Sequence, residues 1–236
     1  MNNSIGQWVI AALLLVGIFS VERIYSKEQE SVPITKKSAH IRNREYRLEL
    51  FESFSPQAEV VFVGDSITRN AEWHDFFPER SVLNRGVGSD KTADVLRRLD
   101  SILQVDPKIV FVMLGINDIY SRVPLERVIS NYTQIVAQLR AEGIHVVVQS
   151  TIQCRYAKCG AERIELVNSL NEALRSVAQQ QGADFLSLGD LSTDSGLALR
   201  YTYDGIHLTA EGYQLWVSKI DDYLGATGTQ GQGFGP

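Results

Sequence analysis

Histidine and cysteine are scarce in this chain. Four histidines and two cysteines are spread over 236 residues. A structural zinc site needs four ligands, and no His-rich segment accompanies Cys154 and Cys159 to complete one. A two-metal phosphoesterase needs several clustered His and Asp ligands, and Asp65, Asp118, Asp204 and His207 alone are too few for one. No metal is therefore expected. Long basic runs are also missing and the net charge is −5, so nucleic acid is not an expected partner. There is no Walker A pattern. Gly86-Val87-Gly88 opens like a dinucleotide loop, but Lys91 stands where the third glycine belongs. The lack of a Gly-x-Ser-x-Gly elbow excludes the ordinary α/β-hydrolase arrangement. No internal repeat is apparent.

What is present begins with an apolar segment. Ile5 to Val21 carries no charge, which suits the lower limit of a bilayer span and also a signal-peptide core. Ile18 and Ser20 make a poor −3/−1 pair, so a retained signal anchor over 1–21 is favoured above a cleaved signal. A buried domain helix is the other reading. The chain is therefore expected to be exported, periplasmic or extracellular, and tethered to the membrane through this segment. In such a compartment Cys154 and Cys159 read as a loop disulfide; free thiols are the alternative. Residues 22–55 read as a polar linker with Pro33, followed by a short amphipathic helix over 41–54. The tail, 225–236, is rich in Gly, Thr and Gln and reads as disordered.

Between them, residues 56–224 alternate apolar runs with helical periodicity. Strands are expected at Val60–Val63, Val82–Asn84, Ile109–Leu114, His145–Ser150 and Asp184–Leu188. Helices are expected at Thr92–Leu103, Leu125–Ala141, Ala161–Gln181 and Ala210–Tyr223. Continuously apolar strands belong to parallel sheets covered on both faces. The alternation thus predicts a three-layer α/β/α fold with a five-stranded parallel sheet.

Four segments carry chemistry. Gly64-Asp65-Ser66-Ile67-Thr68 follows the first strand, at the end where open α/β sheets place their sites. Ser66 needs a base to act as a nucleophile. His207 is the best of the four histidines, because His40 lies in the linker, His74 in a loop and His145 at a strand start. Asp204, three residues before His207, can receive the proton on the far ring nitrogen. The bland alternative is a turn at Asp204-Gly205 with Thr209 capping the last helix. Charge developing on an attacked carbonyl needs prepared donors. The Ser66 N–H, the Gly86 N–H in Asn84-Arg85-Gly86, and the Asn117 amide in Gly115-Ile116-Asn117-Asp118 are the candidates.

These four blocks, in this order, resemble the SGNH (GDSL-type) hydrolases over roughly residues 58–224. The resemblance implies a flavodoxin-like sheet, a Ser66-His207-Asp204 triad, an oxyanion hole of Ser66, Gly86 and Asn117, and no metal or cofactor. The stretch from Gly86 to Leu99 is similar to the platelet-activating-factor acetylhydrolase-like and sialate O-acetylesterase-like branch. That similarity implies removal of short acyl groups, often acetyl, from a small-molecule or glycan ester. Rival expectations are a lysophospholipase or thioesterase acting on lipid esters, acyl transfer to polysaccharide, and a non-catalytic binding module. The loop from Cys154 to Cys159 is expected either to border the cleft with Arg155 and Tyr156 or to be a stapled surface loop.

Overall fold

The computed structural model of the chain describes residues 36–229, with side-chain burial for 41–226. The anchor expected at 1–21 and most of the linker lie outside the described residues. Among the described residues, no helix is long and apolar enough to cross a membrane. The chain divides into two compact units, Met1–Asn43 and Arg44–Pro236, and only the second is treated below. It takes in the latter part of a helix, α1 (Lys36–Ser53), that the sequence assigns to the segment ahead of the domain.

The sheet is parallel, in the order β2-β1-β3-β4-β5. Its strands are β1 (Val60–Gly64), β2 (Val82–Gly86), β3 (Ile109–Met113), β4 (His145–Gln149) and β5 (Asp184–Leu186). Every residue of β1 and β3 is buried, as a sheet covered on both faces requires. The chain runs from β1 outward to β2, then returns to β3 on the other side of β1. That reversal opens a crevice at the carboxyl ends of β1 and β3, the usual ligand position in open α/β sheets. Ser66 and Asn117 both follow those strand ends.

The remaining helices are α2 (Ser66–Arg69), α3 (Trp73–Phe76), α4 (Thr92–Arg97), α5 (Asp100–Leu103), α6 (Ile116–Tyr120), α7 (Leu125–Ala141), α8 (Tyr156–Gln180) and α9 (Ala210–Thr229). A small antiparallel hairpin pairs β6 (Ser192–Thr193) with β7 (Gly196–Leu197). Helix α7 has the expected bounds. It buries Val128, Tyr132, Ile135, Val136 and Leu139, a stripe of helical spacing, and Gly143 follows its end at φ +76°.

Three expectations need correction. The helix expected over Thr92–Leu103 breaks after Arg97, where Arg98 leaves helical geometry and its buried guanidinium pairs with Asp90 at 2.7 Å. Helix α8 starts at Tyr156 rather than Ala161, with Gly160 at φ +67° interrupting it after the first turn. The last helix continues to Thr229, so 225–229 are helical; 230–236 lie outside the described residues.

An aromatic stack joins the layers near the crevice. Phe62 lies 3.9 Å from Trp73, and Trp73 meets Trp216 edge-on at 5.0 Å. Such pairs add roughly 0.5–1.5 kcal/mol beyond simple burial. They fix the chain that follows Ser66 against both the sheet and α9.

Candidate active site

Ser66 opens α2, so its backbone N–H is one of the first-turn donors that a helix leaves unpaired. Asp65 caps the same helix, accepting the Ile67 N–H at 2.9 Å. The Asp65 carboxyl is fully buried. Burial, opposed by the Ile67 N–H and aided by the nearby Asp90 and Asp118 charges, pushes it up to about 7. The helix is clamped from several sides. The Asn84 side-chain amide donates to the carbonyls of Thr68, Arg69 and Ala71 at 3.1, 3.0 and 3.0 Å. Trp73 Nε1 donates to Thr68 O at 2.9 Å, and the Tyr213 hydroxyl donates to Ile67 O at 2.7 Å.

Gly86 has a different place from the one expected. Its N–H donates to Asn84 Oδ1 at 2.9 Å and is therefore committed within its own strand end. A Cβ on Gly86 would fall 2.4 Å from the Arg69 nitrogen. Glycine is needed there so that β2 can press against α2, not to expose a donor to a reacting carbonyl. One N–H left free on this side belongs to Ser89. Asp90 N donates to Val87 O at 3.2 Å, closing a turn with Ser89 at φ +65°, and among the described residues the Ser89 N–H has no partner.

Across the crevice, His207 Nε2 lies 2.9 Å from Ser66 Oγ, although the residues are 141 positions apart. His207 Nδ1 lies 2.7 Å from Asp204 Oδ2. The other oxygen of Asp204 accepts the backbone N–H groups of Ile206 and His207 at 2.9 and 2.8 Å. Partial burial acts to raise the Asp204 carboxyl. The His207 ring and the two N–H groups outweigh it and hold the group below its ordinary value. Gly205 at φ +94° makes this turn possible, and Thr202 Oγ1 holds it by accepting the Gly205 N–H at 2.9 Å and donating to His207 O at 2.7 Å. The expected turn at Asp204-Gly205 therefore exists, and it serves to orient the imidazole.

Asn117 stands behind Ser66. Its amide nitrogen lies 3.1 Å from Asp90 O and 3.3 Å from Asp65 Oδ2. Asp90, which sequence reasoning did not single out, is buried and accepts Arg98 at 2.7 Å and Arg44 of α1 at 3.1 Å. Arg47 of the same helix donates to Gly86 O at 2.8 Å and Asn84 O at 3.1 Å. The loop carrying Ser89 is thus braced by α1. Sequence spacing offers no signal for this, because the partners are 46 positions apart. Asp118, adjacent to Asn117, accepts the Thr92 N–H and hydroxyl and ties α4 to α6.

Cys154 and Cys159 are bonded, with Cα atoms 6.0 Å apart, and both are buried rather than on the surface. The loop they close abuts the Asp204–His207 turn. Arg155 N donates to Gly205 O at 2.9 Å, and a Cβ on Gly205 would meet the Lys158 side chain at 2.6 Å. The loop is therefore a wall of the acid–base turn. Among the described residues no group of His, Cys, Asp and Glu is arranged to hold a metal ion.

The sequence model described as the GDSL-like Lipase/Acylhydrolase family matches residues 62–215. The chain belongs to that family. Curated relatives include the platelet-activating factor acetylhydrolase IB subunit alpha1 of Rattus norvegicus, 28% identical over 193 residues, spanning 78% of this chain and 82% of that protein. Among solved structures, a GDSL-like lipase from Bacteroides thetaiotaomicron VPI-5482 superposes with a TM-score of 0.66 at 21% identity, covering 78% of this chain and 98% of the other. An acetyl xylan esterase superposes with a TM-score of 0.60 at 19% identity, covering 70% and 98%. The SGNH resemblance and the three-layer fold are thereby established, and the protein is a carboxylic ester hydrolase.

Proposed function

We propose that this hydrolase removes short acyl groups, acetyl foremost, from carbohydrate hydroxyls, with Ser66, His207 and Asp204 as its triad. The observation that carries the reading is the unbroken chain from Ser66 Oγ through the His207 ring to Asp204. Ser66 Oγ attacks the ester carbonyl carbon while His207 Nε2 takes its proton. Asp204 keeps the proton on Nδ1, so Nε2 presents a lone pair. The tetrahedral intermediate collapses, the C–O bond to the alcohol breaks, and His207 returns the proton to the leaving oxygen. Water then attacks the acyl-Ser66 ester, giving its proton to His207. Collapse releases the carboxylic acid and restores the Ser66 hydroxyl.

Negative charge on the carbonyl oxygen is met by the Ser66 N–H, by the unpaired N–H of Ser89, which takes the place expected of Gly86, and by the Asn117 amide once it releases its 3.3 Å contact with Asp65 Oδ2. One such donor is worth roughly 3–4 kcal/mol in the transition state. Acetyl is favoured because the named activities of two relatives are acetyl ester cleavage. The bonded cysteines support an oxidising location outside the cytoplasm, in keeping with tethering by the apolar segment 5–21.

One observation favours a lipid ester instead. A cavity of about 400 Å³ next to the acid–base turn is lined mainly by apolar groups of Phe76, Leu208, Tyr213 and Val217. A series of p-nitrophenyl esters from acetate to palmitate separates the readings. Falling kcat/KM with chain length supports the deacetylase, and rising kcat/KM overturns it in favour of the lipid reading.

A further inference from the structure

A cavity of about 610 Å³ is not used by the mechanism above. It lies between the carboxyl ends of β4 and β5, the side of α8, and the β6–β7 hairpin, with Ser150, Thr151 and Ser187 at the strand ends. It therefore opens on the same rim of the sheet as Ser66 and Asn117. β4 is two strands from β1, which sets it about 10 Å along that rim.

We propose that this cavity is a subsite for a neutral, hydroxylated carbohydrate, holding sugar units adjacent to the one whose ester meets Ser66. The inference rests on the esterase reading and names the part of the substrate that reading leaves open. Its lining includes the amides and hydroxyls of Gln153, Asn168, Asn171 and Thr193. Gln153 is already oriented, since its Nε2 donates to Asn168 Oδ1 at 2.5 Å. Its Oε1 is buried and has no hydrogen-bond partner. An acceptor withdrawn from water and left unpaired is costly, and a sugar hydroxyl would satisfy it once the Gln153 side chain turns toward the cavity.

Charge narrows the ligand further. Glu165, Glu172 and Asp194 line the cavity against the single cation Arg175, so a phosphate headgroup or an acidic sugar is disfavoured. A quaternary ammonium would need open aromatic faces, and the Phe185 ring is already covered by the Arg175 guanidinium at 4.4 Å. A neutral polyol suits the amides and hydroxyls that share this lining. One continuous wall links this cavity to the triad. Tyr156 N donates to Ser195 O in the hairpin, while the neighbouring Arg155 N donates to Gly205 O in the acid–base turn. A glycan lying along the rim would touch both sides of that wall.

The test has two arms on the full chain. The first measures binding of unacetylated xylotetraose, cellotetraose and chitotetraose to the Ser66→Ala protein by calorimetry. At least one should bind in the millimolar range or tighter. Asn168→Leu, and separately Thr193→Trp, which fills the cavity from the hairpin, should each weaken that binding about tenfold, the equivalent of a lost hydrogen bond or an excluded sugar. The second arm compares kcat/KM for acetylated xylotetraose with that for acetylated xylose. The ratio should exceed one in the parent chain and fall about tenfold in both variants, with thermal melts confirming that they fold. No binding of any of the three oligosaccharides, or a ratio that neither variant changes, overturns the subsite. Failure to hydrolyse p-nitrophenyl acetate overturns the esterase reading instead, and the calorimetric arm still judges the cavity.

Discussion

The two halves of the active site are held by different physics. The Ser66 side is built into the core. Asp65 is fully buried, Asn84 clamps three carbonyls of the turn that carries Ser66, and Gly86 lets β2 press on the backbone of α2. The His207 side is a partly exposed turn, held by Thr202, by Asp204 and by the disulfide loop behind Gly205. Ser66 is thus fixed by packing that also stabilises the fold, whereas His207 is fixed by a few polar contacts. Substitutions of the close-packed groups around Ser66, Gly86 and Asn84 among them, should damage stability and activity together. Those on the His207 side should damage activity almost alone.

The largest effects sharpen the contrast. Ser66→Ala should lower kcat for p-nitrophenyl acetate by about 10³-fold or more, with the urea midpoint nearly unchanged because the hydroxyl is peripheral to the packing. Asp204→Asn should lower kcat by roughly 10²-fold or more through loss of the imidazole orientation, again with little change in stability, since the carboxylate is about one-third exposed. Its depressed ionisation also gives a sign. Whatever stability the Asp204 carboxylate adds is present above the usual carboxylate range and is lost as pH falls through its lower folded value. A large drop in the urea midpoint of Asp204→Asn would break the comparison.

On the core side, Gly86→Ala should cost about 3 kcal/mol, because the new methyl meets backbone rather than a flexible side chain. Equilibrium urea unfolding checks this, and a neutral result would refute the packing role assigned to the residue. Asp65 sets a pH dependence of opposite sign to that of Asp204. Its folded value, about 7, lies above its unfolded one, so the fold binds the proton more tightly. Stability should therefore fall as pH rises from about 4 to about 7 and level off beyond. Asp65→Asn should gain about 2 kcal/mol relative to the parent between pH 5 and pH 8, measured by urea unfolding at each pH. Smallest of all, Cys159→Ser should lower kcat only severalfold, by loosening the wall behind Gly205. A thermal melt and a kcat measurement separate that effect from unfolding.

The same contrast explains how much could be read from the chain. The strands were legible because a parallel sheet buries both faces, so Val60–Val63 and Ile109–Leu114 stand out as unbroken apolar runs. Helix α7 was legible from its apolar spacing. Ser66, Asp204, His207 and Asn117 were legible because their chemistry is scarce and ordered. Gly86 was placed correctly on the chain but given the wrong task. A glycine needed for close packing and one needed to bare an N–H look alike in sequence, and only the Asn84 contact tells them apart. Ser89 escaped notice because a serine at positive φ has no sequence mark. The ion pairs of Asp90 with Arg44 and Arg98 depend on where α1 packs, which no local pattern encodes.

The account turns on Ser66 and His207 acting as one unit, and covalent labelling tests that most directly. The full chain treated with a fluorophosphonate should carry the phosphonyl group on the peptide containing Ser66, seen by mass spectrometry. His207→Ala should slow labelling by about 10²-fold or more while leaving the melting temperature in place. Modification of a different serine, or labelling of Ser66 at the parent rate without the imidazole, would contradict it.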